Sequence, residues 1–145
     1  MSRELDIAPA SPDEAQHLAE LRVEAMRPSL EAVGRFDLDR ARRRFLSTFV
    51  AADTFVLRAD GIVIGFYVVR RHADQLYLDH LYIRDAFQGH GFGRRILHRL
   101  QQEARRCDQP LRVTALRESP ANLFYVSNGF VFEYAEEFDN HYVWR

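Results

Sequence analysis

The sequence predicts an α/β fold built on a mixed β-sheet with helices on both faces. Three observations lead to this class. Strand and helix patterns alternate along the chain, an Asp60–Gly61 turn joins two β-branched and aromatic runs, and the apolar run Leu76–Ile83 passes through a glycine-rich turn into a long helical pattern. Such alternation is typical of domains in which each helix buries one face against a sheet.

The first elements are a short strand, Leu5–Ala8, and a helix with a well-marked start. Ser11 is a favourable N-cap, Pro12 suits the first helical position, and Glu14 completes a capping box. Apolar residues then recur at helical spacing. We expect this helix to end near Arg27–Pro28, because the residue before a proline avoids the helical region.

The remaining segments complete the order β-α-α-β-β-β-α-β-α-β-β. Helices are predicted where apolar residues repeat every three or four positions, and strands where β-branched and aromatic residues cluster between turn residues. The predicted bounds are a helix at Leu38–Phe49, strands at Thr54–Arg58, Ile62–Arg71 and Leu76–Ile83, a helix that follows the glycines, buries Ile96, Leu97, Leu100 and Ala104 and ends near Cys107, a strand at Leu111–Leu116, a short helix at Pro120–Ser127, and strands at Phe130–Glu136 and Asn140–Arg145.

Length and composition limit the classes of protein to consider. The 145 residues, 47% of them apolar, suffice for one buried core, so the sequence predicts a single domain spanning residues 1–145. The 20 basic side chains, all arginine, against 21 acidic ones give a net charge of −1, which argues against a nucleic-acid partner.

Nothing in the sequence indicates a membrane protein or a secreted one. No apolar run approaches the roughly 20 residues that span a bilayer, and the N-terminal segment Met1–Asp6 is unlike a signal peptide. We therefore expect no membrane partner and a cytoplasmic location. Cys107 is the single cysteine, which excludes an internal disulfide, and no metal is predicted.

The most informative segment is the turn Gln88–Gly93, which reads Gln-Gly-His-Gly-Phe-Gly between a strand and a helix. Glycines remove the Cβ atoms that would shield backbone N–H groups, so such a turn can hold a phosphate at the positive end of the helix dipole. A P-loop is excluded because it needs a lysine and the chain has none. A dinucleotide-binding turn is excluded as well, because the position three after Gly91 is Arg94 rather than glycine.

The remaining pattern, Gln88-x-x-Gly91-x-Gly93, resembles the pyrophosphate loop of the GCN5-related N-acetyltransferases (GNAT). Residues 124–130, Phe-Tyr-Val-Ser-Asn-Gly-Phe, are similar to the short helix of that family, in which Phe-Tyr is followed after three variable residues by Gly-Phe. The order of elements also matches the family's fold along nearly the whole chain. The resemblance implies an N-acetyltransferase that uses acetyl-CoA.

In this family the pantetheine arm of acetyl-CoA lies along the central strand and the pyrophosphate lies at the glycine turn. By position, the resemblance implies backbone contacts to pantetheine from Leu81, Tyr82 and Ile83. Family members often carry a cofactor-contacting asparagine six or seven residues before the tyrosine of the short helix; here those positions hold glutamate and serine, so Asn122 is the candidate. The other cofactor-binding residues that the resemblance implies are Gln88, Gly89, His90, Gly91, Phe92, Gly93 and Arg94.

Acetyl transfer requires a neutral amine, a stabilised thioester oxygen and a proton for the departing thiolate. The resemblance implies that Tyr125 donates this proton, since a phenol with a pKa of about 10 stays protonated at neutral pH. Packing on the sheet is the alternative role of Tyr125. The resemblance also makes Asp79 the candidate general base, because family members often place an acidic residue on the central strand. Its side chain should share a face of that strand with Tyr77 and Leu81. The alternative is that Asp79 only bonds to a neighbouring strand or loop.

The resemblance implies that the residues that bind the acceptor lie in two segments. Between the first two helices, Glu31 suits an ammonium group, whereas Arg27 or Arg35 suits a carboxylate. Glu137 belongs to an acidic group at the connection of the last two strands, and such a rim can attract a cationic amine. A polyamine, a basic peptide and an amino acid all stay open as acceptors, as do acyl groups larger than acetyl.

The sequence therefore predicts an enzyme that moves an acetyl group from acetyl-CoA to a primary amine of a small molecule or peptide, by direct attack in a ternary complex. The alternative is a catalytically silent acyl-CoA-binding or regulatory module on the same fold, because a fold alone does not establish turnover. A homodimer is compatible with both functions.

Overall fold

The computed structural model describes residues 4–145; Met1–Arg3, the start of the segment that is unlike a signal peptide, lie outside the described residues. Within residues 4–145, four helices and seven strands follow the predicted order. The helices are α1 (Ala15–Ala32), α2 (Leu38–Leu46), α3 (Phe92–Cys107) and α4 (Ala121–Ser127). The strands are β1 (Asp6–Pro9), β2 (Thr54–Ala59), β3 (Ile62–Arg71), β4 (Leu76–Ile83), β5 (Leu111–Leu116), β6 (Val131–Ala135) and β7 (Asp139–Trp144). Short 3₁₀ turns lie at Pro12–Glu14, Ala51–Asp53 and Asp85–Phe87.

The seven strands form one mixed sheet in the order β1-β2-β3-β4-β5-β7-β6. The β1–β2, β2–β3, β5–β7 and β6–β7 pairs are antiparallel, and the β4–β5 pair is parallel. The parallel register joins residues 76–78 to residues 111–113, although β4 itself continues to Ile83. The predicted α/β class with a mixed sheet is confirmed.

The chain forms two compact units. The first comprises residues 4–68 and His80–Phe92, and the second comprises Val69–Asp79 and Gly93–Arg145. In the first unit α1 and α2 contribute to a core with β2 and β3, where the Phe45 and Phe66 rings meet edge to face with centroids 5.3 Å apart. The buried residues of this core are Ala10, Leu18, Ala19, Leu21, Phe45, Val56, Phe66 and Val68. The prediction of a single domain stays a prediction.

The core of the second unit contains the residues of α3 that were expected to face inward. Ile96, Leu97, Leu100 and Ala104 are each at most 1% exposed, and Leu111 of β5 is fully buried. Removal of this apolar surface from water is the main favourable term in forming the unit.

Two local motifs have the geometry that the sequence predicts. The backbone N–H of Ser11 donates to Glu14 Oε1 at 3.0 Å, which forms the capping box ahead of α1. Asp60 and Gly61 have φ angles of 54° and 78°, the left-handed values of a two-residue hairpin between β2 and β3.

The predicted end of α1 is wrong. The helix continues through Pro28 to Ala32 and ends where the Arg35 N–H donates to the Leu30 carbonyl and Gly34 adopts a φ of 70°. This is the Schellman arrangement, in which glycine supplies the left-handed residue that stops a helix. Pro28 lacks an N–H and therefore costs the helix one backbone hydrogen bond, and it lies at an exposed position of α1.

The second helix is shorter than predicted. α2 ends at Leu46 rather than Phe49, because the next N–H groups bond three residues back, Thr48 to Phe45 and Phe49 to Leu46. Phe49 is consequently only partly buried, although its ring still lies 5.7 Å from that of Phe45.

Candidate active site

The glycine turn has a backbone that only glycine adopts readily. Gly89 and Gly91 have φ angles of 81° and 80°, and α3 begins at Phe92 directly after them. A Cβ atom at either glycine would meet nothing within 4 Å, so this backbone faces open space. Open N–H groups at the start of a 16-residue helix fit an anionic pyrophosphate.

Side chains around the turn hold it to the end of β4. Gln88 donates from Nε2 to the Ile83 carbonyl at 2.8 Å and to Asp85 Oδ1 at 3.3 Å. Gln88 therefore anchors the turn. His90 and Arg94 are exposed, and Phe92 is buried.

Gly93 opens the second unit and is required by packing. A Cβ atom at Gly93 would lie 3.0 Å from the Phe124 ring on α4. The last glycine of the turn therefore lets the start of α3 approach the aromatic residue of the Phe-Tyr motif.

A further glycine, Gly65 of β3, lies beside the proposed pantetheine-binding residues of β4. A Cβ atom there would come within 2.1 Å of the Tyr82 carbonyl oxygen, which no side chain permits. Gly65, Tyr82 and Ile83 line a small pocket together with Leu21, Glu24, Ala25, Arg84 and Asp85. Leu81 precedes these residues on β4 and is half-buried.

Tyr125 lies on α4 and is 6% exposed. Its ring meets the Phe130 ring edge to face at 5.5 Å, and the Tyr142 ring lies 6.3 Å away. These contacts fix the orientation of the phenol in the second unit.

Asn122 is bound by protein atoms at both ends of its amide. Nδ2 donates to the carbonyls of Leu116 and Ser119, each at 2.9 Å, and Oδ1 accepts from the Tyr142 hydroxyl at 2.8 Å and from Asn140 Nδ2 at 2.9 Å. All four hydrogen-bonding positions of the amide are used, so the side chain secures the start of α4.

Asp79 forms an ion pair within the second unit. Its Oδ2 lies 3.2 Å from Arg70 Nη2 and 3.3 Å from Arg70 Nε, and Arg70 belongs to the neighbouring strand β3. Such a contact is expected under the alternative interpretation, in which Asp79 only bonds to a neighbouring strand or loop. His80, the next residue, is buried, and its Nδ1 lies 3.1 Å from the Tyr82 hydroxyl oxygen.

Four polar side chains of the second unit form a continuous chain of hydrogen bonds, here called the Tyr77 network. The Tyr77 hydroxyl lies 2.8 Å from Thr114 Oγ1, which lies 3.1 Å from His141 Nδ1, and His141 Nε2 lies 2.6 Å from Glu136 Oε1. The Tyr134 ring stacks on the His141 imidazole with centroids 4.1 Å apart.

Burial raises the pKa of the Tyr77 phenol, and the negative charges of Asp79 and Asp139 add to this effect, while the bond to Thr114 opposes it. Tyr77 is therefore a neutral hydroxyl at physiological pH. Sequence reasoning placed Tyr77 on the face of Asp79 but did not connect it with Thr114 or His141. A sequence signal that could have identified Thr114 and His141 is the occurrence of polar residues at alternate positions of otherwise apolar strands.

The residues predicted to bind the acceptor have partners of their own. Arg27 Nε lies 2.7 Å from Glu31 Oε1, and the Arg27 guanidinium lies 4.6 Å from the centroid of the Phe36 ring. The two charges that were assigned to opposite substrates thus neutralise each other on α1. Arg35 follows the helix and is half-buried.

In the acidic group near β6, only some of the carboxylates are available to attract a cationic acceptor. Glu133 pairs with Arg112 at 2.9 Å, and Glu136 is bonded to His141. Glu137 is exposed, and its backbone carbonyl accepts from Arg117. Glu24 in the pocket of the first unit is also exposed.

Among residues 4–145 no histidine, cysteine and carboxylate side chains are grouped as three or more metal ligands. No helix in the same range is both long and apolar enough to cross a membrane.

Comparison with protein families identifies the chain. A model of the acetyltransferase (GNAT) domain matches residues 20–144, which include the glycine turn and the Phe-Tyr helix. The chain belongs to the GNAT acetyltransferase family.

Solved structures have the same fold. PaiA N-acetyltransferase from Thermoplasma acidophilum, in complex with coenzyme A, is 18% identical with a TM-score of 0.81 over 97% of this chain and 98% of its own. An acetyltransferase from Thermus thermophilus is 24% identical, with a TM-score of 0.74 over 99% of both chains. N-acetylglutamate synthase from Neisseria gonorrhoeae, complexed with coenzyme A and N-acetyl-glutamate, is 18% identical with a TM-score of 0.69; the match covers 99% of this GNAT chain and 35% of the synthase. No curated protein sequence matches the chain.

Proposed function

We propose that this protein is an acetyl-CoA-dependent N-acetyltransferase that acylates a primary amine of a small molecule or peptide by direct attack in a ternary complex. The observation that carries the proposal is the turn at residues 88–93. There Gly89 and Gly91 have left-handed φ angles, and the backbone that leads into α3 faces open space. Membership of the GNAT family and the coenzyme A bound to relatives of the same fold support it.

The cofactor-binding role is assigned chiefly to backbone. The N–H groups of residues 89–93 bind the pyrophosphate, with Gln88 holding the turn to β4 and Arg94 adding positive charge, and the backbone of residues 81–83 pairs with pantetheine. Gly65 supports this second role, because it lets the β4 backbone lie closer to β3 than any side chain would allow. Asn122 contributes by positioning α4. When bound, acetyl-CoA supplies an activated acetyl group as a thioester.

Proton transfers are assigned to side chains of the second unit. Tyr125 donates a proton to the departing thiolate from a hydroxyl that its packing orients. Asp79 is proposed from the sequence as the proton acceptor. The ion pair of Asp79 with Arg70 equally suits an electrostatic role. The variant Asp79→Asn distinguishes that role from proton acceptance.

The acceptor is proposed to be cationic. The charges of Arg27 and Glu31 offset each other in an ion pair, whereas Glu24 and Glu137 are exposed. A polyamine or basic peptide fits this balance of charge better than an amino acid held by an arginine clamp.

The proposal is tested by two measurements on the wild-type protein. Acetyl-CoA at 100 times its Kd should stabilise the fold by about 2.7 kcal/mol, which scanning fluorimetry detects as a rise in Tm. Thiol release in the presence of a panel of polyamines, basic peptides and amino acids should then reveal turnover. Binding with no turnover on any amine would instead support the silent acyl-CoA-binding module, and absence of binding would contradict both functions.

A further inference from the structure

The donor and acceptor roles in the Tyr77 network follow from the chemistry of Glu136, which lies at its outer end. An ionised Glu136 carboxylate only accepts hydrogen bonds, so His141 must donate from Nε2. The neutral imidazole then has a lone pair on Nδ1, which requires Thr114 to donate to it. The Thr114 oxygen in turn accepts from Tyr77. Every hydrogen in the network therefore points toward Glu136, and the Tyr77 oxygen is left as an acceptor.

The two ends of the network lie in different environments. Burial raises the pKa of Tyr77 at the inner end, whereas the Glu136 side chain at the outer end is 63% exposed. The imidazole between them is 18% exposed and lies under the Tyr134 ring. The network thus connects the half-buried Tyr77 side chain of β4 with bulk water.

We infer that the Tyr77 network accepts the proton that the amine loses on acylation, with His141 as the terminal acceptor and Glu136 as the group that stabilises the imidazolium. The inference rests on the proposed function and assigns the role of general base to this network instead of Asp79. The proton reaches the Tyr77 oxygen directly or through one water, the Tyr77 hydrogen moves to Thr114, and the Thr114 hydrogen moves to His141 Nδ1.

The transfer balances in atoms and charge. The amine nitrogen forms a bond to the acetyl carbon and loses one proton, which ends on His141. The bond from the acetyl carbon to sulfur breaks, and the thiolate takes one proton from Tyr125, which regains it from water. The new positive charge on His141 lies beside the negative charge of Glu136.

Other charged groups also face this network. Asp79 and Asp139 act on Tyr77, and Asp79 is itself paired with Arg70. On β5 and β6, Arg112 and Glu133 pair with each other. Asp79 is thus the rival proton acceptor, and Glu133 is a nearby carboxylate outside the network.

The first experiment measures the direction of the network without any turnover. Long-range ¹H–¹⁵N NMR of the full chain should show neutral His141 with its proton on Nε2, and Glu136→Gln should weaken this preference because an amide, unlike a carboxylate, can also donate. Glu133→Gln is the matched control and should leave the tautomer in place. A neutral His141 with its proton on Nδ1 would overturn the inference.

The second experiment asks whether the network serves the reaction. A plot of kcat/KM against pH should have an ascending limb, and Glu136→Gln should move the midpoint of that limb while Glu133→Gln leaves it in place. Thr114→Val keeps the shape of the side chain and breaks the relay, so it should lower kcat/KM by about 100-fold and remove this limb. In His141→Ala, added imidazole should restore part of the lost rate, which a structural role would not predict.

Failure of the inference and failure of the proposed function give different results. If the wild-type protein turns over an amine and Thr114→Val retains the ascending limb while Asp79→Asn loses it, Asp79 is the base and the relay is refuted. If no amine is acetylated, the proposed function fails, and the relay fails with it as a catalytic device whatever the tautomer of His141.

Discussion

In the glycine turn, consecutive residues form a binding surface from their backbone, whereas in the Tyr77 network four side chains distant in sequence meet across strands. Gly89 and Gly91 act through φ angles near 80°, which their residue type alone makes accessible. Tyr77, Thr114 and His141 act through hydrogen bonds that exist only because β4, β5 and β7 are neighbours in the sheet.

These two regions show where function is visible in a sequence. A backbone site needs particular residues at consecutive positions, so it leaves a motif such as Gln88-x-x-Gly91-x-Gly93. A side-chain network needs only one suitable residue on each strand, so it leaves no local pattern. Variants of the two regions should differ accordingly: the first should lose ligand binding, and the second should lose rate or change its pH dependence.

The largest effect is expected from Gly91→Val. Valine at a φ of 80° is strained by about 1–3 kcal/mol, and its side chain covers the open backbone of the turn. The rise in Tm caused by CoA should disappear. Gly61→Val is the matched control, since Gly61 has a φ of 78° in the exposed hairpin; it should lose similar stability and keep the CoA response. Retention of the response in Gly91→Val would contradict the backbone site.

Tyr125→Phe tests the assigned acid. Loss of the phenolic proton should lower kcat by roughly 10- to 1000-fold with little change in acetyl-CoA affinity, measured by initial rates and calorimetry. Tyr142→Phe is the control, because it removes the hydroxyl bonded to Asn122 in the same aromatic cluster. An equal fall in kcat in the control would assign the effect to the position of α4.

Asp79→Asn separates the two candidate proton acceptors. If the Tyr77 network is the base, kcat should fall by less than about 10-fold, because general-base catalysis worth about 100-fold or more is then supplied elsewhere. Arg70→Gln should have a similar small effect, since it leaves the carboxylate in place without its partner. A fall of about 100-fold or more in Asp79→Asn alone would return the role of base to Asp79.

A smaller effect is expected at the acidic rim. Glu137→Gln should raise the KM of a polycationic amine by about 2- to 3-fold at low salt and leave its kcat unchanged, because an exposed charge acts through screened attraction. The difference should vanish at high ionic strength. Glu31→Gln should have no larger effect, since Glu31 is already paired with Arg27. A salt-independent loss at either position would indicate direct contact with the acceptor.

The smallest effect concerns the capping box, another local motif. The Ser11 backbone hydrogen bond is the main cause that holds the pKa of Glu14 below its usual 4.5. Its charge therefore stabilises the fold above pH 4.5, and this contribution is lost as the pH falls through the lower pKa of the folded state. Glu14→Gln keeps the cap and removes the charge, so it should cost roughly 0.5 kcal/mol at neutral pH and nothing once the carboxyl is protonated in acid. Thermal unfolding at several pH values measures this, with exposed Glu118→Gln as the control.

The two ends of α1 illustrate how far local sequence extends. The capping box within Ser11–Glu14 was predicted correctly because it is local, and it begins a 3₁₀ turn that leads into the helix. The end of the helix was not predicted correctly, because two local signals compete there, Pro28 and Gly34, and the exposed face that carries Pro28 tolerates one missing hydrogen bond. Only the folded chain shows which signal is decisive.

Residue types at close spacing were enough to predict the order of elements, the mixed α/β class and the glycine turn, and the resemblance of two motifs to a known family indicated that family. The assembled fold was needed to show which side chains meet. It paired Asp79 with Arg70 and Arg27 with Glu31, required Gly65 beside the Tyr82 carbonyl, and connected Tyr77 with His141. A glycine's conformational freedom belongs to the residue itself, whereas a side-chain contact depends on strand register and order, which arise only when the sheet assembles.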